Sequence, residues 1–355
     1  MDLNQIISEG ISKSNDIGTP AIIYLKKALQ YNVDTIQREI KSIYNTVKVL
    51  YSVKACCNAD IIDFLSKNID GFSVSSQAEF NNIKKYHKTI SATGFHYSDY
   101  NLLDNCIFYF NSLSQLKSLL SGKKKREKIK IGLRIEAPNT LYCGKNIFSH
   151  FGFTIAQLKE LELLQNKFNF AITSILIHQE NKVFNDNKKL RDFILNILNM
   201  KVLKNVKSIN LGGGWDNLFL KNQVSQFINS LKIPNKYEIY IEPGSMLVRT
   251  IGILKAEIID QNIKHGVKYL TLDTSQFNNS SWFVPRVIAN TKNSKVRSMK
   301  TMLYGNTCYE RDFFGDLGKT KLSLKDIVYL YPVGAYYDTT HRELHGIKFP
   351  REYFI

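Results

Sequence analysis

The sequence predicts an α/β fold: a (β/α)8 barrel of the TIM type, joined to a mostly antiparallel β domain that the C-terminal region forms with the N-terminal strand. Three observations predict it. Short apolar runs alternate strictly with longer stretches whose apolar residues recur at three and four. About eight such units fit into roughly two hundred residues, which favours a closed barrel over an open sheet. After Gly252 the helical stretches thin out and one β-type run follows another.

Seven runs read as barrel strands: VKVLYSV (47–53), ISATGF (90–95), IFYFNS (107–112), KIGLRIE (130–136), ITSILIH (172–178), VKSINLGGG (206–214) and EIYIEPG (238–244). Between them ADIIDFLSKN, SQAEFNNIKKY, SLSQLKSLLSG, IAQLKELELLQNKF and LRDFILNILNM have helical periodicity. Beyond Gly252, ILKAEIID, VKYLTLDTSQF, VRSMKTMLY and KDIVYLYPVGAYY are β-rich. The expected domains are therefore a barrel over 27–250 and a β-rich domain from 1–26 with 251–355.

A chain of 355 residues buries a sizeable core and suits two domains. Its apolar share of 44% and charged share of 22% are those of a globular protein. No apolar run approaches the length of about eighteen residues that a membrane span needs. The N-terminal MDLNQIISEGISKSND carries acids and no apolar signal core, so a cytoplasmic protein is expected. The five cysteines form no C-x-x-C pair and have no histidine at metal spacing, which argues against a disulfide framework or a zinc site. The net charge of +17 attracts anions, either a nucleic acid or a phosphorylated substrate. The lysines are scattered, however, and only Lys123-Lys124-Lys125-Arg126 forms a block, so a solvated basic surface explains the charge without any nucleic-acid motif.

Barrel enzymes carry reactive groups at the C-terminal ends of their strands. Lys54 ends VLYSVK, where burial behind an apolar strand would ease loss of its proton and allow a Schiff base; a lysine snorkelling out of a strand end fits the same pattern. His178 ends ITSILIH, as a ligand-facing or a hydrogen-bonded core histidine. Gly212, Gly213 and Gly214 follow SINL, where backbone N–H groups could close on a phosphate and where a tight turn would look the same. Glu242 closes an apolar strand, a costly place for an acid without a cationic partner.

The order of lysine, histidine, glycines and Glu-Pro-Gly resembles the fold-type III pyridoxal-phosphate-dependent decarboxylases, the family of ornithine, diaminopimelate and carboxynorspermidine decarboxylases. The resemblance runs through GTPAIIYLKKAL (18–29), YSVKA (51–55), GFSVSSQAEF (71–80), FNSLSQL (110–116), GLRIE (132–136), SHFGF (149–153), IH (177–178), NLGGG (210–214), IEPG (241–244), GNTCYERDFFG (305–315) and VGAYY (333–337). FNSLSQL and GNTC are most similar to the carboxynorspermidine branch. The resemblance implies pyridoxal 5'-phosphate (PLP) as cofactor, with Lys54 holding it covalently and His178 stacked on its ring. Glu242 would pair with the ring nitrogen and keep it protonated, so that the ring takes up the electrons left when carbon dioxide departs. Alanine racemase, on a similar barrel, has arginine at that point, so Glu242 favours decarboxylation. Gly212–Gly214 and Tyr336 would hold the phosphate. Cys308 would protonate the substrate carbon in a neighbouring subunit's site, with Asp312, Tyr309 and Arg134 as substrate contacts and a homodimer as the active unit. Cys308 also reads as a small buried hydrophobe, and Cys56 and Cys57 read as packing residues.

Four departures bear on the substrate. Ser245 stands where the family has an arginine after Glu-Pro-Gly, and Ser73 where G-x-D-V has its aspartate. Tyr309 follows Cys308 in place of an acid, which leaves a distal ammonium without a counter-ion. The segment TTHRELHG (339–346) only loosely matches the family's substrate loop. Ornithine, lysine and diaminopimelate are disfavoured on this reading. An aminocarboxypropyl group on a nucleotide or peptide-nucleotide, as in microcin-C-type maturation, suits the tyrosine and the positive charge, with carboxynorspermidine as the alternative. A non-catalytic, partner-binding paralogue is a competing class, but such a copy would not need Lys54, His178, Glu242 and Cys308 together. The chain ends at FPREYFI after the expected last strand, so a further C-terminal domain is an open expectation.

Overall fold

A computed structural model describes residues 2–95, 97, 105–121, 129–137, 141–142, 145–146, 149–278, 285–290 and 297–355. The basic block 123–126 and Cys143 lie outside the described residues. The chain forms two units. One comprises Met1–Asn32, Ala55–Ile61 and Leu247–Ile355; the other comprises Val33–Lys54 and Ile62–Met246.

The second unit is a closed barrel of eight parallel strands: Val47–Ser52, Gly71–Val74, Thr89–Ala92, Cys106–Phe110, Lys130–Ile135, Ile172–Ile177, Ser208–Asn210 and Glu238–Ile241. The strand Glu238–Ile241 pairs with Val47–Ser52 and closes the ring. Most strand positions are buried on both faces, as expected where helices cover the outside of a parallel sheet. Gly71–Val74 is a barrel strand that lay outside the seven expected runs, because four residues give too little alternation to stand out.

Helices follow the strands where periodicity places them. Ile155–Phe168 begins with a capping box, in which Thr154 accepts from the Gln157 N–H and the Gln157 side chain returns the bond. It buries Leu158 and Leu161, while Asn187–Leu198 buries Leu190, Ile194 and Ile197. Inside the barrel Leu50, Ile107, Tyr109, Leu176 and Tyr240 pack as one cluster. Beside it Tyr109 Oη lies 2.7 Å from Ser174 Oγ, and Ser208 Oγ donates to Ser174 Oγ at 2.8 Å. Polar groups sealed in this interior are thus paired with one another.

In the first unit, the strand Ala21–Tyr24 pairs antiparallel with Gly252–Lys264 and parallel with Arg351–Phe354. The sheet continues through Ile327–Tyr331 to Arg286–Asn290 on one side. On the other it runs through Val267–Leu272 and Met299–Tyr304 to Phe313–Thr320. Its pairings are mostly antiparallel, with Val267–Leu272 and Met299–Tyr304 running parallel. A helix, Leu3–Lys13, precedes this sheet, capped by Asp2 and Gln5 in reciprocal bonds.

Candidate active site

Strand side chains alternate between faces, so the interior cluster fixes which residues look into the barrel. From Tyr109, Leu176 and Tyr240 the same face reaches Asn111, His178 and Glu242 just past the C-terminal strand ends. Lys54 follows Ser52 in a one-turn 3-10 helix, Val53–Ala55. Read around the barrel, Arg134, His178, the glycines after Asn210, Glu242 and Lys54 arise from five successive strands. Residues spread over nearly two hundred positions therefore occupy one arc of the barrel mouth.

Glu242 is buried, and its Oε1 accepts from Ser91 Oγ at 2.5 Å and from Asn210 Nδ2 at 2.6 Å. Asn210 is held in turn, because its Oδ1 accepts from the Gly212 N–H at 2.8 Å. Both supports bind the same oxygen. Among the described residues Oε2 accepts no hydrogen bond and Glu242 forms no ion pair. The carboxylate is fixed from below by neutral donors and keeps one oxygen for a cationic partner. Ser91 and Asn210 were not assigned from the sequence; Asn210 lies within NLGGG, but only the glycines signalled a function there.

His178 is half-buried, and its Nδ1 accepts from the Gly213 N–H at 3.1 Å. A bond accepted at Nδ1 requires an unprotonated nitrogen there and leaves the proton on Nε2. Burial holds the imidazole well below its ordinary value of 6.5, and Lys182, Arg134 and Lys54 push the same way. Gly212 and Gly214 have φ of +65° and +81°, and a Cβ on Gly212 would lie 2.6 Å from His178 Nδ1. Only glycine fits between that ring and the chain. The Gly212 and Gly213 N–H groups are thus committed, whereas the Gly214 N–H makes no hydrogen bond among the described residues.

Arg134 is half-buried with its guanidinium carbon 4.2 Å from the Phe151 ring centroid. Burial pushes it down to about 10, against the attraction of Glu242. Lys54 is exposed, in contrast to the buried position expected for it. Ser245, at the position of the missing arginine, donates its hydroxyl to Asp216 at 2.7 and 2.8 Å from the two carboxylate oxygens.

The remaining expected residues belong to the other unit. Cys308 is an exposed free thiol rather than a packed one, and Tyr309 is 48% exposed, 5.4 Å from the Phe277 ring. Asp312 corrects its expected role as a substrate contact, since it is completely buried. Its Oδ1 accepts from Gln276 N–H at 2.7 Å, and its Oδ2 accepts from Thr307 N–H at 3.1 Å and Thr307 Oγ1 at 2.7 Å. It clamps the loop that presents Cys308. Tyr336 adopts a left-handed φ of +62°, and its N–H donates to Ala55 O at 2.7 Å, tying this turn to the residue after Lys54. Among the described residues no group of three His, Cys, Asp or Glu could hold a metal ion, and no helix is long and apolar enough to cross a membrane.

No protein-family model matches the chain, and no curated protein matches its sequence. Solved structures do share its fold. The arginine decarboxylase of Paramecium bursaria Chlorella virus is similar over 98% of this chain and 99% of its own, at 17% identity and a TM-score of 0.77. The lysine/ornithine decarboxylase of Vibrio vulnificus, complexed with cadaverine, is similar over 98% of each chain, at 15% identity and a TM-score of 0.78. The carboxynorspermidine decarboxylase of Campylobacter jejuni, complexed with norspermidine, is similar over 95% of this chain and 94% of its own, at 22% identity and a TM-score of 0.69.

Proposed function

We propose that the chain is a PLP-dependent amino-acid decarboxylase acting at the mouth of the barrel. The observation that carries this reading is Glu242: a buried carboxylate fixed by Ser91 and Asn210 through one oxygen, with the other left for a protonated ring nitrogen. The residues present fit the cofactor. A glycine turn with no room for a Cβ on Gly212 or Gly214 lies beside the His178 ring, and a lysine follows the strand next to Glu242. The three solved structures described above are decarboxylases, which supports the same reading.

PLP, when bound, supplies an electron-accepting ring for the pair released with carbon dioxide. Lys54 would hold it covalently, and Gly214 would bind its phosphate. The neutral His178 ring offers a flat face that brings no positive charge against the electron sink. Glu242 would hold a proton at the ring nitrogen. Arg134, half-buried and without a carboxylate partner among the described residues, would orient a substrate carboxylate. Cys308 would return a proton to the substrate carbon from a second copy of the chain, since it is exposed on a clamped loop.

For the substrate, Tyr309 beside Cys308 and the net charge of +17 favour a large or anionic molecule carrying an aminocarboxypropyl group, such as a nucleotide or peptide-nucleotide conjugate. Carboxynorspermidine is the second reading, favoured by FNSLSQL and GNTC. Mass spectrometry of these candidates incubated with enzyme and PLP tests both levels. Loss of carbon dioxide from one of them identifies the substrate. Failure on these and on arginine, lysine, ornithine and diaminopimelate would reject decarboxylation.

A further inference from the structure

The turn that begins at Tyr336 holds the chain just beyond Lys54 at two points. The Tyr336 N–H donates to Ala55 O at 2.7 Å, and Asp338 Oδ2 accepts from the Cys57 N–H at 2.5 Å. The turn is itself braced, since Thr340 Oγ1 donates to Tyr336 O and His341 Nδ1 lies 2.9 Å from Asp338 O. Between the two points Cys56 is completely buried. Lys54, which precedes them, is exposed. Its backbone is therefore anchored from the C-terminal side, and Asp338 supplies the only side chain in the anchor.

Asp338 is a costly residue for that task. Its Oδ1 is sealed from solvent and accepts no hydrogen bond, and among the described residues the carboxylate forms no ion pair. The groups that face it are neutral or acidic: the Cys56 thiol, Tyr24, and Glu352, which accepts from Tyr24 Oη at 2.8 Å. Burial, helped by the Glu352 charge and opposed by the Cys57 N–H, pushes Asp338 up to about 6. The fold thus holds this proton above the ordinary value of 3.8, and the ionised group lowers stability once the pH passes about 6. An asparagine would accept the same N–H without that cost. Groups held at a cost in stability recur at functional sites.

We propose that Asp338 is a positioning residue whose carboxylate, through the Cys57 N–H, fixes the segment that carries Lys54 for its bond to the cofactor. This rests on the PLP reading for the role of Lys54, though not for the clamp itself. A carboxylate grips an N–H about twice as strongly as a neutral acceptor does, so the clamp slackens when Asp338 takes up a proton. Asp338→Asn reproduces the slack state at every pH.

The test compares the wild type with Asp338→Asn at pH 5 and pH 8. Titrations common to both proteins, that of His341 included, cancel in the ratio. Amide hydrogen exchange of the peptide over residues 54–58 in cofactor-free protein, corrected for intrinsic rates, reads the clamp. Borohydride trapping after timed addition of PLP reads Lys54. At pH 8 exchange should be about fivefold slower in the wild type, the scale of the difference between a charged and a neutral hydrogen bond. At pH 5 the two proteins should converge. Trapping on Lys54 should be slower in Asp338→Asn by a similar factor at pH 8 and should converge at pH 5. The melting temperature of the variant at pH 8 should match or exceed that of the wild type. A lower one would make Asp338 a folding residue and overturn the proposal. So would ratios that do not change with pH, or an exchange difference with no trapping difference, which would leave a clamp without a role at Lys54. A wild type that forms no adduct on Lys54 would reject the PLP reading and this inference together, whereas the exchange ratio is read without any cofactor.

Discussion

The two regions that carry the candidate chemistry are held in opposite ways. Around Glu242 every support is internal: Ser91, Asn210, Gly212 and Gly213 bond to the acid, to each other and to His178 within one barrel. Around Cys308 the buried element is the clamp. Asp312 spends Oδ2 on Thr307 of that loop and Oδ1 on the Gln276 N–H, and the thiol and Tyr309 stand exposed. Groups that stabilise charge work by being preorganised, and the barrel over-determines them. A side chain that is to serve another copy of the chain has to be offered outward from a rigid base.

Removing the acid is expected to have a large effect. Glu242→Ala should lower turnover by about three orders of magnitude, the scale of losing one preorganised charge-stabilising group, while PLP remains bound. Steady-state rates and the cofactor's absorbance check both parts, and a near-wild-type rate would remove the barrel side of the contrast. The Cys308 side is broken by complementation. Lys54→Ala and Cys308→Ala, each inactive alone, should on mixing recover activity in about a quarter of all sites, because each heterodimer of a symmetric pair contains one intact site. No recovery after verified subunit exchange would mean that each chain completes its own site. A smaller loss, about tenfold in rate, is expected for Asn210→Ala, because Ser91 still holds the Glu242 oxygen. Equal losses for Asn210→Ala and Glu242→Ala would show that the support is as important as the acid.

The smallest effect concerns pH. Folding depresses the His178 value below 6.5, so the unfolded chain takes up a proton that the folded barrel refuses. The stability this confers is present above pH 6.5 and declines as the pH falls below it. Lys182, lowered from 10.5 to about 7, has the same sign at higher pH, so stability also rises from pH 7 towards 10.5 in cofactor-free protein. Urea midpoints across the acid range should fall for the wild type and flatten for His178→Gln. An unchanged slope in that variant would place the titration elsewhere.

How much of this was legible in the sequence follows from range. The helices Ala59–Asn68 and Ile155–Phe168 match their expected bounds, because amphipathic periodicity is a local signal. Lys54, His178, Gly212–Gly214 and Glu242 were visible because each closes a strand-like run. Ser91 was not, since it acts across the barrel on a residue 151 positions away. Lys182 sits in a loop whose lysine differs in no visible way from the other basic residues until burial is known. The strand Phe313–Thr320 was missed for a different reason: its burial alternates around glycines and charges, which read as a loop.

Borohydride reduction of PLP-loaded protein, followed by peptide mapping, tests the central claim most directly. The account predicts a visible absorbance that disappears on reduction and one pyridoxyl adduct, on Lys54, absent from Lys54→Ala. An adduct on any other lysine, or one that persists in Lys54→Ala, would contradict it.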